Sequence, residues 1–134
     1  MPGSERNREP IPLAPAEWQV MKVLWDAGPL AARDVFSRLP HETAWAYKTV
    51  KTLLSRLVAK GALDYEQIGN SYLYRAVVAR ERMTRQEVRG LLDRVVSEAT
   101  APVIAQLIDE VDLSDAEIKS LKRLLDEKRR GRTN

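Results

Sequence analysis

Apolar residues recur along most of this chain at the three- and four-residue spacing of helices that bury one face. Trp18, Met21, Leu24 and Trp25, with Val20 beside them, predict a first helix that opens at Pro15 and stops at Gly28-Pro29. Proline suits a first helical turn, the acid Glu17 favours the positive end of the helix dipole, and Gly followed by Pro ends a helix. A shorter helix over roughly residues 31–39 packs through Val35, Phe36 and Leu39, and Pro40-His41-Glu42 breaks it. Val50, Leu53, Leu54, Leu57 and Val58 stand at i, i+3, i+4, i+7 and i+8 and predict a third helix, closed by Gly61. The period then changes. Residues 63–68 and 72–78, rich in Tyr and Val around Gly69-Asn70-Ser71, read as a β-hairpin.

The last third returns to helical spacing. Thr84 to Glu87 reads as a capping box ahead of Val88, Leu91, Leu92, Val95 and Val96. Pro102 opens a run through Val103, Ile104, Leu107, Ile108 and Val111, and a second box, Ser114 to Glu117, precedes Ile118, Leu121, Leu124 and Leu125. About 50 residues in three helices rarely bury enough apolar surface to be stable alone. These stripes need a partner, either the first part of the same chain or, as we favour, the same segment of a second copy. The short helix, brief break and longer helix upstream have the layout of a helix-turn-helix, and the hairpin after them makes it a winged helix. Proteins built this way usually work as symmetric dimers. The expected interface comprises Leu91, Leu92, Val95, Ile104, Leu107, Ile108, Ile118, Leu121 and Leu125.

The fold expected is mainly α with a small β-hairpin, an N-terminal winged helix-turn-helix followed by a C-terminal helical dimerisation region. Residues 1–12 are expected to be a flexible tail, 13–80 the winged helix, 81–128 the dimerisation region and 129–134 a frayed basic end.

Charge sharpens this picture. The 134 residues carry a net charge of only +3, but residues 1–80 hold eleven Lys and Arg against eight acids, and the remainder eleven against eleven. Much of the excess falls on the third helix. From Thr43 to Leu63 there is no acid, while Lys48, Lys51, Arg56 and Lys60 are present. On a helical wheel Lys48, Thr52 and Ser55 lie nearly opposite the apolar face, with Lys51 and Arg56 on its shoulders. Cations and short hydroxyls on one face suit a polyanion, since they pair with phosphates or reach base edges. The plain alternative for this face is a solvated basic surface. The helix-turn-helix order before it and the hairpin after it favour nucleic acid.

The stretches AEWQVMKVLW, AYKTVKTLLSRLVAKGAL and GNSYLYRAVV, in that order and spacing, resemble the penicillinase-repressor (BlaI/MecI-like) family of bacterial transcription regulators. The resemblance implies a homodimer that binds a dyad-symmetric operator in double-stranded DNA and represses transcription. It places Lys48, Thr49, Lys51 and Thr52 on the operator-facing side of the recognition helix, and Arg56 on backbone phosphate or in bracing that helix. It brings the wing tip, Asn70 and Ser71, to a flanking phosphate, with Tyr72 and Tyr74 structural and near phosphate. Two departures stand out. Family members often carry Ser-Pro before the Lys-Thr pair, where this chain has Ala46-Tyr47, so the cap is weaker or comes from Thr43. Several relatives are inactivated through a membrane sensor-protease pathway by cleavage of an Asn-Phe bond, to which Gln106-Leu107 corresponds here. A copper-responsive sister group senses metal through cysteine pairs, and this chain has no cysteine.

The competing reading is a winged-helix protein-interaction module without specific DNA binding, which has no reason to exclude acids over 21 residues. An enzyme is not expected. There is no Gly-rich phosphate loop, and the single His41, in a break, has no partner at a recognisable spacing. Asp109-Glu110 and Asp126-Glu127 read as solvated faces. No cofactor, metal or membrane insertion is expected, and the absence of an apolar leader suggests the cytoplasm.

Overall fold

The computed structural model describes residues 10–132. These divide into two compact units, residues 10–89 and 90–132. In the first, α1 (Pro15–Ala27) leads through β1 (Leu30–Ala31) into α2 (Ala32–Arg38), a 3-10 turn (His41–Thr43) and α3 (Tyr47–Ala59). The strands β2 (Leu63–Ile68) and β3 (Ser71–Ala76) follow, and then α4 (Arg80–Val95), which runs on past the unit boundary. The expected hairpin is part of a three-stranded antiparallel sheet in the order β1-β3-β2, with Leu30 opposite Tyr74 and Tyr65 opposite Tyr74 from the other side. The strand β1 escapes the sequence pattern because two residues have no period. Gly69, at φ +62°, takes the first central position of the β2–β3 turn, where a II′ hairpin turn requires a positive φ.

The core lies where the three helical stripes meet. Val20, Met21 and Leu24 of α1, Val35 of α2, and Val50, Leu53, Leu54 and Leu57 of α3 are buried together with Leu63, Tyr74 and Met83. Trp18 and Trp25 are half-buried anchors in edge-to-face contact at 5.7 Å, and Trp25 donates its indole N–H to the Val78 carbonyl at 2.9 Å.

Several expectations are corrected. Thr84 does not cap a helix start, because α4 begins at Arg80 and the Met83 amide already bonds the Ala79 carbonyl at 3.2 Å. Burial of Met83 draws that extra turn onto the head. Residues 1–9 lie outside the described residues, but Ile11, expected in the tail, is buried at 8% exposure. Its N–H donates to Gln86 Oε1 at 3.1 Å, and its carbonyl accepts from Gln86 Nε2 at 2.8 Å. Part of the expected basic end is helix, since α6 continues to Arg132, while residues 133–134 are outside the description.

The second unit comprises the end of α4, α5 (Ala101–Glu110) and α6 (Asp115–Arg132). The box at Ser114 forms as expected, with the Ser114 amide donating to Glu117 at 3.0 Å and the Glu117 amide donating to the Ser114 hydroxyl at 3.1 Å. The Ser114 amide and hydroxyl together hold the Glu117 carboxyl below its ordinary pKa. Ile104, Leu107, Ile108, Ile118, Leu121, Leu124 and Leu125 are all exposed in the single chain, Leu125 at 66%.

Candidate nucleic-acid interface

Helix α3 is built so that one face has no choice. Val50, Leu53, Leu54 and Leu57 are buried, so Lys48, Thr49, Lys51, Thr52, Ser55 and Arg56 are left on the exposed side. No acid stands on the helix, and among the described ion pairs none uses Lys48, Lys51 or Arg56. Lys48, Lys51, Thr52 and Ser55 line a shallow depression of about 380 Å³ with Tyr47. The Thr52 hydroxyl donates to the Lys48 carbonyl one turn back at 3.1 Å, so only its acceptor lone pairs and its methyl face outward unused.

The helix starts without a side-chain cap. Ala46 holds the N-cap position and Thr43 does not replace it, because its hydroxyl donates to the Pro40 carbonyl at 2.9 Å. Ala44 adopts φ +52° to close the 3-10 turn ahead of α3. At the other end Lys60 anchors the helix. Its ammonium reaches the Glu17 carboxylate at 2.5 Å and the Pro12 carbonyl at 2.7 Å.

Glu17 is buried at 2% exposure, and its carboxylate also accepts the Ala14 amide at 2.8 Å. Burial pushes its pKa up, but the Lys60 hydrogen bond, the Ala14 amide and the charges of Lys60 and Arg56 outweigh that and hold it below the ordinary value. The sequence marks Glu17 only as a helix-dipole residue. Its partner stands 43 positions away, beyond any local signal.

The wing faces the same side. Asn70, Ser71, Tyr72 and Tyr74 join Lys51 and Ser55 along a groove of about 540 Å³ between α3 and the β2–β3 turn. Asn70, Ser71 and Tyr72 are exposed, whereas Tyr74 is buried among Tyr65 and Tyr72, at 6.0 and 6.4 Å between ring centroids. Burial, then the neighbouring tyrosines Tyr72, Tyr47 and Tyr65, raise the Tyr74 pKa, so it stands as a neutral phenol. The groove also takes in Arg33 and Tyr47, which sequence reasoning did not assign to the site.

In the second unit, the Gln106-Leu107 bond lies inside α5, where Gln106 Nε2 donates to Glu110 at 3.0 Å. Among the described residues, no helix is long and apolar enough to cross a membrane.

A helix-turn-helix with a wing, offering an acid-free cationic face beside the wing groove, is the architecture of a winged-helix DNA-binding protein. Comparison with known proteins gives the family: the penicillinase repressor model matches residues 13–127, and the chain belongs to that family. It is 33% identical over 110 residues, 82% of this chain and 75% of the relative, to an uncharacterized 16.5 kDa protein in the ptsI 3′ region of Latilactobacillus sakei. It is 27% identical over 115 residues, 86% of this chain and 90% of the relative, to the penicillinase repressor of Bacillus licheniformis. The solution structure of the DNA-binding domain of the repressor BlaI covers 55% of this chain and 90% of its own, at 32% identity and a TM-score of 0.49.

Proposed function

We propose that the protein represses transcription as a cytoplasmic homodimer, each protomer placing its winged helix on one half of a dyad-symmetric operator. The observation that carries the reading is the face of α3, free of acids, opposite a back where Val50, Leu53, Leu54 and Leu57 are buried. Lys48 donates to guanine O6/N7, Thr52 contributes its methyl or an acceptor lone pair, and Thr49 and Ser55 stand alongside. Lys51 takes backbone phosphate. Arg56 divides its charge between phosphate and the Glu17 end of α1, whose carboxyl it helps keep ionised. Asn70, Ser71 and Tyr72 approach a flanking phosphate, and Tyr74 supports them from within the sheet.

The exposed stripes Ile104/Leu107/Ile108 and Ile118/Leu121/Leu125, with the end of α4 at Leu91, Leu92 and Val95, support dimerisation through the second unit. Release through a membrane sensor-protease pathway is the extension of this reading to Gln106-Leu107. Because that bond is helical, cleavage there requires α5 to open first.

Selection from a randomised duplex pool tests the function. A dyad-symmetric sequence should be enriched, and Lys48→Ala or Thr52→Ala should weaken it far more than random DNA. Equal losses on both would leave these residues as positioning contacts. Enrichment of nothing would return the fold to a protein-docking role.

A further inference from the structure

The groove between α3 and the wing holds an arrangement that no local pattern announces. Tyr47, at the first position of α3, has two cations over its ring, the Arg33 guanidinium at 4.3 Å from the centroid and the Lys51 ammonium at 5.7 Å. Its ring is fixed from another direction by Phe36, edge-to-face at 5.7 Å. Neither Arg33 nor Lys51 has an ion-pair partner among the described residues, and no acid lines the groove. The negative face of an aromatic ring holds both cations while leaving their N–H donors open. Hydroxyls of Ser55, Ser71 and Tyr72 complete the same wall. The groove shares Tyr47, Lys51 and Ser55 with the depression below Lys48 and Thr52, so it continues the reading face.

We propose that Arg33 and Lys51, both drawn to the Tyr47 ring and both lining the groove between recognition helix and wing, form a two-cation clamp for one DNA backbone phosphate there. The proposal rests on the DNA-binding reading and adds Arg33, from α2, as a phosphate ligand, with Tyr47 as a positioning residue. A phosphodiester fits because it can accept from both cations and from the hydroxyls at once, and a guanidinium can give it two parallel hydrogen bonds. This phosphate contact carries no base preference. Its purpose is to set the angle at which α3 enters the major groove.

The full-length protein is titrated with its selected operator and with random duplex of equal length, from ~50 to ~200 mM salt. Arg33→Ala should weaken both DNAs about tenfold near ~100 mM and lower the slope of log affinity against log salt by about one. Arg33 is exposed, so this variant should fold normally. Tyr47→Leu keeps apolar bulk against Phe36 but offers no ring face, and should lower the slope as well. Adding Arg33→Ala to it should then cost much less than in the wild type, and Tyr47→Phe should restore most of the slope lost by Tyr47→Leu. An unchanged slope in Arg33→Ala, with wild-type binding intact, overturns the clamp and leaves the DNA-binding reading standing. Fully additive effects of the two changes overturn the role of the ring. Wild-type protein that binds neither duplex overturns both readings.

Discussion

The head and the second unit carry the same kind of apolar stripe and end in opposite states. Val20, Met21, Val35, Val50, Leu54 and Leu57 of the head are wholly buried within one chain, whereas Ile104, Leu107, Ile108, Leu121 and Leu125 of the second unit are exposed. Periodicity says which side of a helix wants cover, but not what supplies it. In the head three stripes converge and the sheet closes the remaining side. In the second unit the stripes stay open in a single chain. Fully burying a Leu or Ile is worth about 1.5–3 kcal/mol, and these side chains, 40–66% exposed, have roughly half of that still to gain, so the second unit has the stronger reason to associate.

The sharpest way to break this contrast is to separate the two. A chain ending at Arg89 should fold, remain monomeric by sedimentation at micromolar concentration, and lose about 100-fold or more in affinity for a full operator once the two heads are no longer linked. A dimer of that fragment would move the interface into the head. Ending instead at Arg80 removes Met83 and Gln86 and should lower the melting temperature, because both belong to the head's packing. Next in size is Lys60→Ala, which leaves Glu17 buried without its cation. Denaturant unfolding should show a loss of about 3 kcal/mol, confined to the head. Lys48→Ala and Thr52→Ala should each cost about 1–3 kcal/mol on the operator, with unfolding curves unchanged. Thr52→Ser, which loses only the methyl, should cost less if the hydroxyl reads the base and as much as Ala if the methyl does.

The smallest effect expected is on acid stability. The Glu17 carboxyl is held below its ordinary value in the fold, so its stabilisation is complete above the usual carboxylate pKa, about 4.3. That stabilisation fades as pH falls through the lower folded value. Glu17→Gln should therefore flatten the acid limb of stability against pH, and a limb of unchanged steepness would assign acid unfolding to other groups.

Much of the head was legible because its signals are local. The i, i+3, i+4 run from Val50 to Val58, the Gly28-Pro29 stop and the Gly69 turn each state one element within a few residues. The errors came where a distant group overrode a local one. Thr84 to Glu87 has the composition of a capping box, yet Met83 is drawn into the core and the helix starts a turn earlier. The exposed face of α3 could be read from a wheel, but its groove could not. Arg33 lies on a different helix from Tyr47, and the packing of the two helices through Val35, Phe36 and Leu39 brings them together. Glu17 and Lys60 show the same limit, since each looks like an ordinary surface charge until the chain closes.

Ile11 is held by one side chain acting twice. The Gln86 amide offers its oxygen to the Ile11 N–H and its nitrogen to the Ile11 carbonyl, as a neighbouring strand would. Since one planar group carries both bonds, turning it over sets donor against donor and acceptor against acceptor, so only one orientation of the amide closes the clasp. Next to it, Lys60 grips the Pro12 carbonyl from the last turn of α3. The two grips make residues 11–12 a strap that ties the end of α3 to α4 within the head.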